Sequence, residues 1–278
     1  MDIYPCLWFD GNAKEAATFY CSVFENSKIT SENPVVVNFQ LNGFKFMGLN
    51  GGPAFTINPS VSFFVFCENE NEVEKKWNQL SAGGKILMPL NKYPWSEKYG
   101  WCQDEYGVNW QLMIDKKMEQ KIIPAFMFTQ KNNGRAEEAI NFYTSVFKNA
   151  EIKMISRYEK GEHDTEGNIK HAQFTLNDQW FVAMESSGPH DFTFNEGVSM
   201  VITCDTQEEI DYYWNKLTEG GTESQCGWLK DKYGFSWQVV PEVLSKLMSD
   251  PSKRENVMQT FMTMKKFDIQ KLTEASKN

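Results

Sequence analysis

The chain opens on a run of aliphatic and aromatic residues, Ile3 to Phe9, that predicts a β-strand. Asp10-Gly11-Asn12 then predicts a turn, with Asn12 as N-cap and Glu15 placed as in a capping box. Ala16, Phe19, Tyr20, Val23 and Phe24 recur at the spacing of one helix face packed on a sheet. Two further strands, Val35–Leu41 and Phe44–Leu49, flank Asn42-Gly43, a strong hairpin signal because both turn positions accept a positive φ. The plan then restarts. Val61–Cys67 is strand-like, and Val73, Trp77 and Leu80 mark a helix stopped by Gly83-Gly84. Strand-like runs follow around Ile86–Leu90 and Tyr99–Cys102. The turn Asp104-Glu105-Tyr106-Gly107 leads to a last strand, Val108–Ile114.

The same pattern comes back about 125 residues later. Phe19-Tyr20-Cys21-Ser22-Val23-Phe24 returns as Phe142-Tyr143-Thr144-Ser145-Val146-Phe147, and Trp77-Asn78-Gln79-Leu80 as Trp214-Asn215-Lys216-Leu217. Trp101, Asp104, Tyr106, Gly107, Trp110 and Gln111 return as Trp228, Asp231, Tyr233, Gly234, Trp237 and Gln238. A period this long exceeds that of a solenoid, so each copy is expected to own a core. The helix of the second copy that starts at Thr206 has the fuller capping box, with Glu209 three residues on. The expected organisation is a first domain over 1–117, a second over 121–245, and a helical tail over 246–278. In the tail, Asp250-Pro251-Ser252 signals a helix start, with Val257, Phe261 and Met264 at helical spacing and Met258 and Met262 beside them. That helix would dock on the body, or serve as a Met-rich flap or dimer contact.

The 278 residues are 41% hydrophobic and 14% aromatic, ample material for such cores. A net charge of −9 repels phosphate backbones and anionic lipid, which argues against nucleic acid and membrane surfaces as partners. No apolar run approaches the roughly 18 residues of a membrane helix. Met1-Asp2-Ile3-Tyr4 has no signal-peptide character. The six cysteines are scattered without a Cys-x-x-Cys pair, and only Cys67 and Cys204 match between copies. Structural thiols in a reducing, cytoplasmic protein are expected.

Several segments together resemble the PhnB-like family: Pro5-Cys6-Leu7-Trp8-Phe9-Asp10-Gly11-Asn12-Ala13, Leu49-Asn50-Gly51-Gly52-Pro53, Gln225 to Gly234, Ser236-Trp237-Gln238-Val239-Val240-Pro241 and Met264 to Ile269. This family, often labelled 3-demethylubiquinone-9 3-methyltransferase, falls in the vicinal oxygen chelate superfamily with glyoxalases and extradiol dioxygenases. The resemblance implies an α+β fold, a tandem duplicated domain in which each copy is two βαβββ modules with the sheet curled into an open cup, followed by a C-terminal helix. Relatives with one copy pair as dimers. This chain looks like such a dimer fused head to tail, and is expected to be a monomer (a fused pseudo-dimer) or a homodimer.

The resemblance also implies where a divalent metal would sit: near Tyr4, Gln40, Ser62 and Gln111 in the first copy, and near Ile123, Thr175, Ser199 and Gln238 in the second. No carboxylate or histidine stands at these positions, so no metal site and no cofactor is expected. The three histidines all lie in the second copy: His163 and His190 in polar loops, and His171 opening a strand. Glu185 ends a strand that could line a cup. The candidate ligand-binding residues are Trp8, Ser62, Gln111, His171, Glu185, Ser199, Trp228 and Gln238, while catalytic residues are not assigned. Gln111 and Gln238 each follow a Trp in a strand, so Trp and Gln face opposite sides.

No nucleophile elbow, phosphate-binding loop or dinucleotide fingerprint is present. The methyltransferase label lacks the Gly-rich loop after a parallel strand that a methyl-donor site uses. The expected function is binding of a small organic molecule without the usual metal. A metal-dependent lyase, isomerase or dioxygenase using His171 or Glu185 is the alternative, followed by the methyltransferase of the label and by a scaffolding role for one copy.

Overall fold

The computed structural model describes residues 1–277. The chain folds as four βαβββ modules followed by helices. The first module runs β1 (Ile3–Phe9), α1 (Ala13–Val23), β2 (Lys28–Glu32), β3 (Val36–Leu41) and β4 (Phe44–Asn50). The second runs β5 (Val61–Cys67), α2 (Glu70–Leu80), β6 (Lys85–Tyr93), β7 (Ser96–Gln103) and β8 (Asn109–Ile114). The third is β9 (Ile122–Phe128), α3 (Ala136–Val146), β10 (Glu151–Arg157), β11 (Ile169–Leu176) and β12 (Gln179–Glu185). The fourth is β13 (Val198–Cys204), α4 (Gln207–Thr218), β14 (Thr222–Glu223), β15 (Trp228–Lys230) and β16 (Ser236–Pro241).

The compact units do not follow the sequence copies. One unit is residues 5–198; the other is residues 1–4 with 199–278. In the larger unit, β5 pairs antiparallel with β9, matching Ser62 with Ala125 and Phe64 with Ile123. That pairing joins the second module to the third in one eight-stranded sheet, ordered β10-β11-β12-β9-β5-β8-β7-β6. The modules sharing this sheet therefore come from different copies.

The first copy still has its own core, on the face of β5 and β8 opposite to Phe64 and Gln111. Phe39, Phe46 and Tyr20 of the first module pack with Phe63 and Trp110 of the second, ring to ring at 5.2–6.2 Å. Each such ring contributes on the order of 1.5–3 kcal/mol through burial. The buried carboxylate of Asp104 pins the two modules together. It accepts from the Tyr20 hydroxyl and the Trp110 indole, both at 2.8 Å, and from the backbone N–H groups of Tyr106 and Val108. Burial lifts this carboxyl to about 6 against the pull of those four donors. Lys76 of α2 is equally buried and is held by Glu72 at 2.6 Å and by Glu25, just beyond α1, at 2.8 Å.

Three local features differ from the sequence pattern or lack a signal in it. Asn12 precedes α1 but makes no side-chain cap; Asn50 at the end of β4 accepts from the Ala13 N–H instead, at 2.9 Å. The edge strand β2 has no counterpart in the sequence pattern, since all but Ile29 of its residues are exposed and it pairs on one side only. The tail is three helices rather than one: α5 (Val243–Ser249), α6 (Arg254–Met262) and α7 (Ile269–Ala275). In the smaller unit both ends of the Gln207 amide hold this tail, donating to the Phe267 carbonyl and accepting from the Ile269 N–H. No helix among the described residues is long and apolar enough to cross a membrane.

Candidate functional site

Residues opposite one another across a strand pair share a face of the sheet. In the larger unit Trp101 pairs with Gln111 and Tyr99 with Met113. Gln111 pairs with Phe64 and Met113 with Phe66. Across the seam Ser62 and Phe64 meet Ala125 and Ile123, Ala125 meets Val182, and Val182 meets Gln173. One face thus collects polar and apolar groups from both copies. Phe64, Phe66, Tyr99, Ile123, Ala125 and Val182 form its buried floor, and Met88, Tyr93, Trp101, Met113, Trp180 and Met184 pack on it while still partly open to solvent. Trp110, next to Gln111, points to the opposite side and into the core, as the alternation of a strand requires.

The polar groups form a chain. The Tyr99 hydroxyl donates to Gln111 Oε1 at 2.5 Å, and Gln111 Nε2 donates to Ser62 Oγ at 2.8 Å. All three residues are buried, and burial raises the Tyr99 phenol well above its ordinary value, so it stays a donor. His171, on β11, stands edge-on to the Phe64 ring with centroids 5.8 Å apart. Its Nε2 lies 3.3 Å from Nε2 of Gln173. Apolar packing pushes the imidazole down to about 4, so it is neutral at neutral pH.

Of the sequence candidates, Ser62, Gln111 and His171 meet on this face. Glu185 does not join them. It is buried on the helix side, where Oε1 accepts from the Ala136 N–H that opens α3 and Oε2 from the Ile169 N–H. Glu185 occupies the position that Asn50 occupies in the first module, so it is a helix anchor. Trp8 lies on β1, its indole donating to the Gly52 carbonyl at 2.7 Å and its ring packed on Phe55. Ser199, Trp228 and Gln238 lie in the smaller unit. There Gln238 Nε2 donates to Ser199 Oγ at 3.0 Å, repeating the Gln111–Ser62 bond, and Trp228 pairs across from Gln238. His163 packs on Tyr158, and His190 bonds Ser186 Oγ at 2.7 Å within its own loop. Sequence reasoning missed Tyr99, Phe64 and Gln173. The signal available was alternation on β7 and β11, which puts every second residue on the face of Trp101 and His171.

The metal positions implied by the resemblance regroup across copies. Ser62 and Gln111 share their sheet with Ile123 and Thr175, whereas Gln40 lies on β3, outside it. Ile123 has no donor atom. The Gln111 amide is engaged at both ends, and Thr175 Oγ1 accepts from the Glu151 N–H. A divalent ion needs several free hard donors, and this set does not fit one. Among the described residues no three His, Cys, Asp or Glu side chains are gathered so as to hold a metal ion.

The sequence matches the family model described as 3-demethylubiquinone-9 3-methyltransferase twice, over residues 1–113 and 120–240. Among solved structures, a PhnB protein from Bacillus cereus, described as a putative 3-demethylubiquinone-9 3-methyltransferase, is 39% identical. The match covers 41% of this chain and all of that one, with a TM-score of 0.39. A protein from Staphylococcus aureus is 34% identical over 41% of this chain and 98% of its own, with a TM-score of 0.19. Glyoxalase I from Zea mays is 14% identical, but the match covers 90% of this chain and 97% of that one at a TM-score of 0.59, which is a likeness of fold. No curated protein matches the sequence.

Proposed function

The chain belongs to the family described as 3-demethylubiquinone-9 3-methyltransferase, and within it we propose that this protein binds a small organic molecule on the cup face of β5–β9 without a metal. The observation that carries this reading is the Tyr99–Gln111–Ser62 chain: Gln111 and Ser62, two of the positions that the resemblance implies for an ion, are neutral and already bonded to one another, and Gln111 also to Tyr99. Around them stand aromatic rings and thioethers, surfaces that adapt to apolar ligands. The free state of all six cysteines accords with a cytoplasmic location. The protein acts as a monomer or homodimer.

Native mass spectrometry with elemental analysis, followed by a thermal-shift screen against Mn, Fe, Ni, Zn and a library of neutral metabolites, tests the reading. The expected result is no stoichiometric metal and a raised Tm with at least one neutral ligand. A stoichiometric ion lost in Gln111→Leu overturns it, as does a library in which nothing raises the Tm.

A further inference from the structure

A buried indole N–H is a donor that must find an acceptor or cost on the order of 1–3 kcal/mol. The chain obeys this at four tryptophans: Trp8 donates to the Gly52 carbonyl, Trp110 to Asp104, Trp214 to Glu223 and Trp237 to Asp231. Trp101 is different. Its Nε1 is buried and has no hydrogen-bond partner among the described residues. Trp101 sits on the cup face, opposite Gln111 on one side and Met88 on the other.

The neighbourhood restricts what could supply the acceptor. The side chains that share the floor with Trp101 are uncharged, and His171 is held neutral. At the end of the β6–β7 hairpin, Tyr93 stacks on Trp95 at 5.1 Å, and both meet Tyr99 edge-on at 5.5–5.8 Å. Trp95 is 55% exposed, a large flat apolar surface left open beside the floor. Three register shifts interrupt the β6–β7 pairing, and such irregularities re-aim side chains at a strand edge. Met88, Met113 and Met184 supply polarizable surface that fits flat π-systems of varied outline.

We infer that the ligand of this face is a neutral, flat, conjugated molecule bearing a carbonyl-type acceptor that takes the indole N–H of Trp101. The inference rests on the small-molecule reading above and narrows it to a chemical class. Trp101 then acts as the selectivity residue: it rewards a ligand with an acceptor over a hydrocarbon of equal shape, because only the former satisfies the donor.

Two isosteric probes separate the possibilities: 2-acetonaphthone, which carries the carbonyl, and 2-isopropenylnaphthalene, which does not. Binding is followed by calorimetry and by the indole ¹⁵N–¹H signals of the intact protein, with the Trp101 signal identified through Trp101→Phe. The expected result is that the ketone binds about tenfold more tightly, shifts the Trp101 signal downfield, and loses its advantage in Trp101→Phe. The comparison of the two probes on the unaltered protein stands alone if that variant does not fold. Equal affinities with an unmoved Trp101 signal overturn the assignment to Trp101 and leave the small-molecule reading intact. Failure of both probes while other neutral metabolites raise the Tm overturns the ligand class alone. Failure of every ligand removes the underlying reading with it.

Discussion

The Tyr99 hydroxyl and the Gln111 side-chain carbonyl lie 2.5 Å apart across the β7–β8 pair, both buried. Gln111 passes the interaction on to Ser62 at the seam where the two copies meet. A donor removed from such a chain leaves its acceptor desolvated and alone. Tyr99→Phe is therefore expected to cost about 1–3 kcal/mol in urea unfolding. Replacing the acceptor as well, in Tyr99→Phe with Gln111→Leu, is expected to recover part of that loss, because no buried polar atom is then orphaned on that side.

Asp104 offers a second test in the core. All four of its bonds are accepted from donors, so an amide at this position would place an N–H₂ group against a backbone N–H or an indole. Asp104→Asn is expected to destabilise the protein by about 3 kcal/mol, and Tyr20→Phe, which removes one donor, by about 1 kcal/mol. Chemical denaturation of both variants at neutral pH measures the difference.

Glu185 separates a structural role from a functional one. Its carboxylate holds two buried N–H groups, those of Ala136 and Ile169, on the helix side of the sheet. Glu185→Ala is expected to lower stability by about 2–3 kcal/mol while leaving the affinity for a cup-face ligand unchanged. Denaturation midpoints and calorimetric affinity, measured on the same preparation, check both halves.

His171 makes stability depend on pH. Its imidazole is lowered from 6.5 to about 4 in the folded protein, so between those values the unfolded chain binds a proton that the folded chain refuses. The stabilisation is present above pH 6.5 and is lost as pH falls toward 4. With allowance for a half-buried ring, the loss is about 2–3 kcal/mol. Asp104, raised to about 6, titrates in the same window with the opposite sign. The comparison is therefore between the wild type and His171→Phe. The variant is expected to lose less stability between pH 7.5 and 4.5, as read from urea midpoints at each pH.

In each copy's second module two adjacent glycines follow the helix, and they differ in what they do. Gly83 and Gly220 both adopt φ of +72°, as expected of glycines that stop a helix. The next pair, Gly84 and Gly221, serves packing: a Cβ on either would lie 2.0–2.1 Å from the carbonyl of Gln103 or Lys230. Gly84→Ala is accordingly expected to fold poorly, with loss of the cooperative unfolding transition as the readout.

Within each module, local chemistry determined the outcome. The Asn42-Gly43 hairpin forms with both residues at positive φ, Thr206 accepts from the Glu209 N–H as an N-cap, and the helix faces carrying Tyr20, Trp77, Tyr143 and Trp214 are buried. These features depend on residues a few positions apart, and such spacing is written in the sequence. The partner of each module is not. The edge of β5 offers the same row of backbone N–H and C=O groups to whichever strand reaches it, and four similar modules supply several equivalent edges. Only the tertiary structure places Ile123 opposite Phe64 and thereby assembles one face from Ser62, Gln111 and His171. It also turns Glu185 away to hold α3, since a shift of one residue along a strand exchanges the two faces of the sheet.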